Sequence, residues 1–154
     1  MRAVIFALAF LTLAAPASAA DAPSLTVEQV IQIGNGIAAL DGYDKIVKDG
    51  ASEKSVHVPY QFGGGLRLLL ASDLDKARTV IKRYQDAVQA LFSAMQKDGK
   101  IPDASLAQYT AEQRKMLDQP ADVQLARIKA DELKLSENPI PSSVLSNLVP
   151  ILDQ

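Results

Sequence analysis

The longest segment of helical periodicity in the 154-residue chain is residues 66–97, LRLLLASDLDKARTVIKRYQDAVQALFSAMQK. Apolar residues recur in it at intervals of three and four, and charged residues fall largely between them. The apolar series is Leu66, Leu69, Leu70, Leu74, Ala77, Ile81, Tyr84, Val88, Leu91 and Met95. This period predicts one long amphipathic helix, which Gly99 and Pro102 end.

A first helix is predicted before this stretch. Thr26 and Gln29 stand three residues apart, which is the spacing of a capping box, and an apolar stripe of helical period follows them. Asp41 and Gly42 end that helix. The charged segment that follows, residues 43–54, is predicted to be a loop because it contains a second glycine, Gly50.

Two more helices are predicted after the long one. Thr110 and Gln113 repeat the capping-box spacing and open a helix that runs through Leu117. Residues 142–149 predict a short terminal helix that Pro150 closes.

Two segments alternate in the manner of strands. In residues 56–62, Val56, Val58, Tyr60 and Phe62 share one face. Pro59 lacks an N–H group, so this strand is expected at a sheet edge. Residues 123–127 predict a second strand that pairs antiparallel with the first. The predicted class is therefore mainly α with a small two-stranded antiparallel β-ribbon (α+β), in which shorter helices pack on one long central helix.

The first twenty residues have the order of a secretory signal peptide. A positive start at Met1 and Arg2 precedes the uncharged stretch 3–15, and Pro16 and small residues follow. Cleavage is expected after Ala19 or Ala20. We therefore predict a signal peptide at residues 1–20, a single globular domain at 21–154, and a periplasmic or secreted protein that has no stable membrane insertion once the signal is removed.

Composition narrows the classes of partner. The chain has 48% hydrophobic residues, no cysteine and a formal net charge of −2. A domain of this size can fold on its apolar core without disulfides. Dispersed lysines and arginines in a mildly acidic chain lack the basic footprint of a nucleic-acid binder, so nucleic acid is not an expected partner.

Two glycine-rich stretches invite a ligand-binding interpretation. Gly34-Asn35-Gly36-Ile37-Ala38-Ala39 has the glycine spacing of a dinucleotide fingerprint, but no long helix follows it, so close helix packing is the favoured interpretation. Gly63, Gly64 and Gly65, followed by Arg67, could form an anion site at the start of the long helix. The alternative for these residues is a plain strand-to-helix turn.

The sequence indicates no catalytic residue, no cofactor and no metal site. His57 is the sole histidine, which excludes sites that need two imidazoles. Asp41, Asp44, Asp49 and Glu53 lie close together in sequence, but their spacing does not fit an EF-hand. A hydrolase that uses carboxylates and His57 stays open as an alternative.

The order of several segments resembles small helical proteins that tailed phages and prophages encode. These segments are residues 41–45, residues 58–63, Arg67 at the start of the long helix, residues 123–125 and residues 137–141. Most of the chain after residue 20 takes part. The resemblance implies an accessory or virion-associated role, and it supplies no site residues because that group has no established activity. The export signal departs from the group, whose members are usually cytoplasmic.

We therefore expect an exported, soluble, non-enzymatic protein that acts through protein–protein contact, with the apolar stripe of the long helix as the contact surface. A carboxylate-dependent hydrolase is one alternative. A structural homo-oligomer, in which the long helix packs on its copy, is the other.

Overall fold

The computed structural model describes residues 24–50 and 52–153, so the predicted signal peptide at 1–20 lies outside the described residues. The elements are α1 (Val27–Ala38), β1 (Gly42–Asp49), β2 (Ser52–Pro59), α2 (Gly64–Met95), α3 (Asp103–Asp118), β3 (Ile128–Lys129), α4 (Ser142–Leu148) and β4 (Leu152–Asp153). Short 3-10 turns lie at Ala39–Asp41, Ala130–Leu133 and Val149–Ile151. The predicted α+β class, with a long helix packed by shorter ones and a two-stranded antiparallel sheet, is confirmed.

The capping box predicted for α1 is present. The Thr26 hydroxyl accepts a hydrogen bond from the Gln29 N–H at 3.2 Å, and the Gln29 side chain accepts one from the Thr26 N–H at 2.9 Å. These two bonds satisfy backbone donors that the first helical turn leaves without an intrahelical partner.

Two glycines let α1 pack closely on its neighbours. A Cβ atom on Gly34 would lie 3.1 Å from the Cβ of Ala77 in α2, and one on Gly36 would lie 3.0 Å from the Cβ of Asn147 in α4. Both distances are shorter than ordinary van der Waals contact, so a side chain would push the helices apart. The close-packing interpretation of the 34–39 stretch is confirmed.

The core lies where α1, the first half of α2 and the C-terminal segments meet. Its main cluster consists of Ile33, Ile37, Leu40, Leu66, Leu70, Ile128, Leu133, Leu148 and Ile151, all buried. A smaller cluster consists of Val30, Ala77, Val80 and Ala121. Burial of this apolar surface is the main force that holds the helices together.

The helix predicted to start at Thr110 starts instead at Asp103, directly after Pro102. Thr110 lies inside α3, where its hydroxyl donates a hydrogen bond to the Leu106 carbonyl at 3.0 Å. A threonine that bonds back to the preceding turn is compatible with a helix interior, so the capping spacing was misleading here. α3 packs on the second half of α2, with the rings of Phe92 and Tyr109 edge to face at 6.5 Å.

The strand predictions were partly wrong. Residues 43–54, expected to be a loop, contain β1, the turn and the start of β2. β2 spans Ser52–Pro59 instead of 56–62, and its antiparallel partner is β1. Residues 123–127 form no strand, and the next two residues, β3, pair parallel with β4.

The described part of the chain contains no helix that is both long enough and apolar enough to cross a membrane.

Candidate functional site

β1 and β2 form a hairpin arm, residues 42–59, that projects from the helical body. The two strands pair along their whole length, from Gly42 opposite Pro59 to Asp49 opposite Ser52. Gly50 in the connecting turn has a φ of 64°, a left-handed conformation that glycine adopts easily. Every described residue from 44 to 57 is exposed to solvent, so the outer part of the arm is uncovered on both faces.

The register divides the arm into two faces, because successive side chains of a strand point to opposite sides. The valine face carries Tyr43, Lys45, Val47, Asp49, Ser52, Lys54, Val56 and Val58. The histidine face carries Asp44, Ile46, Lys48, Glu53, Ser55 and His57. Ile46, Val47 and Val56 are 67%, 41% and 39% exposed, so each face presents apolar surface to water.

An aromatic cluster anchors the arm to the body. The ring centroids of Tyr43 and Tyr60 are 5.6 Å apart, and those of Tyr60 and Phe62 are 5.9 Å apart. The Tyr60 hydroxyl donates a hydrogen bond of 3.4 Å to the Pro139 carbonyl. Burial, with a smaller effect from Tyr43, raises the pKa of Tyr60 above its ordinary value.

Asn138, which is buried, fastens the chain just after the arm. Its side-chain oxygen accepts the Gln61 N–H at 2.8 Å, and its amide nitrogen donates to the Leu133 carbonyl at 2.9 Å and to the Gln61 carbonyl at 3.3 Å. These bonds join the end of the arm to the loop before α4.

His57 lies between two carboxylates at the base of the histidine face. Its Nε2 is 3.4 Å from Asp41 Oδ2, and its Nδ1 is 3.4 Å from Asp44 Oδ1. A Cβ on Gly42 would lie 2.6 Å from His57 Nε2, so only glycine leaves room for the ring there. The structure thus brings His57 together with two of the four neighbouring acids, while Asp49 and Glu53 lie at the tip of the arm.

A groove of about 470 Å³ lies at the foot of the arm, between the end of α1 and the first half of α2. Apolar side chains of Ile37, Leu40, Phe62, Leu70 and Leu74 line it. Asp41, Arg67 and Arg78 supply its charges. Arg78 lies 3.3 Å from the Asp75 carboxylate, and the Arg67 guanidinium donates a hydrogen bond of 3.2 Å to the Tyr60 carbonyl.

The three glycines of the predicted anion site lie where β2 gives way to α2. Gly63 is the N-cap residue of α2, and Gly64 and Gly65 begin its first turn. Apart from their own neighbours in the chain, no described residue lies within 4 Å of a Cβ built on any of them, and all three glycines are exposed to solvent. The Arg67 side chain points to Tyr60. Anion binding at Gly63, Gly64, Gly65 and Arg67 stays a prediction.

In residues 24–50 and 52–153, no group of three or more His, Asp or Glu side chains is arranged to hold a metal ion.

The first strand of the arm is the feature that sequence reasoning missed. The signal that could have found it is Gly50, because glycine is favoured at the first position of a two-residue hairpin turn, and two segments of similar length flank it. The charges of Asp44, Lys45 and Lys48 obscured the alternation of β1. No protein-family model, curated protein or solved structure matches this chain.

Proposed function

We propose that the protein is exported and acts by non-covalent contact with another protein chain through the hairpin arm. The observation that carries this proposal is the exposure of Ile46, Val47 and Val56 on a hairpin that has solvent on both faces. Full burial of an aliphatic side chain of this size is worth about 1.5–3 kcal/mol, so a partner that covers the arm gains substantial free energy.

The architecture of the arm favours a contact role. A two-stranded hairpin by itself is marginally stable in water, and a third strand or a covering surface stabilises it. Among residues 24–50 and 52–153, each strand of the arm also has one edge without a strand partner. Such an edge offers backbone donors and acceptors to an added strand, which is a common mode of protein recognition.

The arm carries three exposed large apolar side chains close together, whereas the others in the described residues lie apart in sequence, at Leu68, Leu106, Leu135 and Val149. Every apolar residue of the α2 stripe, from Leu66 to Met95, is buried or half-buried. The large apolar side chain that α2 exposes is Leu68, which lies outside that stripe. We therefore assign the contact to the arm and not to the α2 stripe.

The predicted signal peptide supports export, and the resemblance to phage and prophage proteins supports an accessory or virion-associated setting. Mass spectrometry of the protein recovered from outside the cytoplasm tests the first point. We expect a mature chain that begins at Ala20 or Asp21. A chain that retains Met1 would contradict export by a cleaved signal.

Site-specific photocrosslinking in the native host tests the contact. A photoreactive amino acid replaces Ile46 in one variant and Leu68 in the control, which is 76% exposed but lies on α2. We expect covalent adducts of higher mass from position 46 and none from position 68. Equal adduct formation at the two positions, or none at position 46, would refute an arm-mediated contact.

A carboxylate-dependent hydrolase is the second candidate, and the carboxylates beside His57 are the observation that favours it. Asp41 also lines the groove, so a bound substrate would be near the imidazole. Both carboxylates are exposed, and water weakens the influence of exposed charges on reacting groups. A panel of chromogenic ester, phosphate and glycoside substrates tests this candidate, with His57→Gln as the variant that abolishes any turnover.

A further inference from the structure

We infer that the partner of the arm is a second copy of this chain, and that the two β1 strands pair antiparallel, edge to edge, across a two-fold axis at Ile46. This inference rests on the proposed function and names the chain that the arm contacts. The product is a four-stranded sheet in the order β2–β1–β1–β2.

The outer edge of β1 is suited to such pairing. β1 is eight residues long, and β2 is its sole strand partner among residues 24–50 and 52–153. It contains no proline, whereas β2 ends at Pro59, which has no N–H to donate. A long edge without proline offers a row of unpaired N–H and C=O groups to an added strand.

The side chains of β1 complement themselves about Ile46. When Ile46 faces Ile46 of the second copy, an antiparallel pairing sets Asp44 opposite the partner's Lys48, and Lys48 opposite the partner's Asp44. Two opposite-charge pairs thus flank an apolar pair on the histidine face. Cross-strand pairs of these types each contribute about 0.2–1 kcal/mol.

This register also extends the charge pairs that lie inside each arm. Within one copy, Asp44 faces His57, and Lys48 faces Glu53. In the four-stranded sheet the row across the histidine face therefore reads His57, Asp44, then Lys48 and Glu53 of the second copy. When His57 is protonated, the charge alternates along the whole row, so every neighbouring pair is attractive.

A two-fold axis at Ile46 also pairs nearly the whole length of β1. Tyr43 then lies opposite Asp49 of the second copy, so seven of the eight residues of β1 face a residue of the second copy's β1. An axis at Val47 would pair only residues 45–49 of the two β1 strands. The axis at Ile46 sets the most exposed large apolar side chain of the arm beside its copy, and it gives each hairpin a third strand.

Sedimentation equilibrium of the mature protein tests the charge pairing. We expect dimers, and we expect Asp44→Lys and Lys48→Glu each to weaken dimerisation by about tenfold or more, because each places like charges opposite one another twice. The triple variant Asp44→Lys, Lys48→Glu and Glu53→Lys exchanges the charges across the axis, keeps residue 48 opposite an unlike charge within each arm, and restores dimerisation. Lys54→Glu, a charge reversal on the valine face, is the control and leaves dimerisation within about threefold of the wild type.

Directed disulfide formation tests the register. The chain has no cysteine, so Ile46→Cys introduces a unique thiol. Residues that face each other across antiparallel strands have Cα atoms about 4.5–5.5 Å apart, which a disulfide spans. We expect mild oxidation to link Ile46→Cys into dimers and to leave Ser55→Cys, on β2 of the same face, monomeric.

The outcomes separate this inference from the proposed function. A monomeric wild type, no rescue in the triple variant, or oxidised dimers of Ser55→Cys in place of Ile46→Cys would each overturn the self-pairing. If the photocrosslinker at position 46 nevertheless captures a different protein, the arm-mediated contact stands while the self-pairing fails. If position 46 gives no adduct and the protein is monomeric, both fail.

Discussion

The carboxylate of Asp73 accepts a hydrogen bond of 2.8 Å from the backbone N–H of Ala126, which ties α2 to the extended segment before β3. Asp73 is 1% exposed, and its other oxygen lies 2.8 Å from Lys76 Nζ. A buried carboxylate is tolerated here because both of its oxygens have partners.

Asp73→Ala is expected to lower the free energy of unfolding by about 1–3 kcal/mol, because it leaves the partly buried N–H group of Ala126 unpaired. Urea denaturation checks this value. Asp75→Ala is the matched control, since it removes a nearby aspartate of the same helix whose pair with Arg78 is exposed. We expect the control to cost less than about 1 kcal/mol. Equal losses in the two variants would contradict the structural role of the Asp73–Ala126 bond.

Gly42→Ala is expected to disorder the arm without unfolding the body. A Cβ on Gly42 would lie 2.4 Å from the Val58 carbonyl oxygen and 2.6 Å from His57 Nε2, so the start of the hairpin must open. Amide hydrogen exchange should show faster exchange in β1 and β2 and unchanged protection in α1 and α2. Gly63→Ala, where nothing lies within 4 Å of the new Cβ, should leave the arm protected as in the wild type.

The free energy of unfolding is expected to fall as pH rises above about 10, in part because Tyr60 is buried. Burial raises the pKa of Tyr60 in the folded chain above its unfolded value of about 10. Above that pH the unfolded chain releases the phenol proton first, so unfolding becomes more favourable until the folded pKa is passed. Tyr60→Phe should flatten the alkaline part of a plot of unfolding free energy against pH. An unchanged alkaline slope in Tyr60→Phe would show that another group is responsible.

Asn138→Ala is expected to cost about 1–3 kcal/mol and to loosen the attachment of the arm. The variant removes the acceptor for the Gln61 N–H and the donor to the Leu133 carbonyl, and both partners lie in partly buried surroundings. Amide exchange at Gln61 should accelerate more than exchange in the middle of α2. A uniform acceleration across the chain would indicate a general loss of stability without a local role in holding the arm.

The helical half of the fold could be predicted from the sequence because its signals are local. Apolar residues at intervals of three and four predicted α2 at residues 66–97, and in the structure this helix spans Gly64–Met95. The Thr26–Gln29 spacing predicted the start of α1, and the structure contains the capping box that this spacing indicates. At Thr110 the same spacing failed, because the local pattern does not distinguish a cap from a hydroxyl bonded inside a helix.

The arm was harder to predict because its strands do not face a core. Alternation of apolar and polar residues marks a strand that has one buried face, and β1 has none, so its pattern reads as charged. Residues 123–127 alternate for another reason: Val123 and Leu125 contact the core without joining a sheet. The pairing of His57 with Asp41 and Asp44 depends on the hairpin register and on the turn after α1, which neither spacing nor composition encodes.

The sharpest test of contact through the arm is the rate at which a thiol reagent modifies position 46, measured in the native exported fraction and in dilute purified protein. The cysteine-free chain allows single thiols to be introduced by Ile46→Cys and, as the control, Leu68→Cys. We expect the Ile46→Cys thiol to react at least about tenfold more slowly in the native exported fraction than in dilute purified protein, and Leu68→Cys to react equally in both. Equal rates at position 46 in the two settings would contradict contact through the arm.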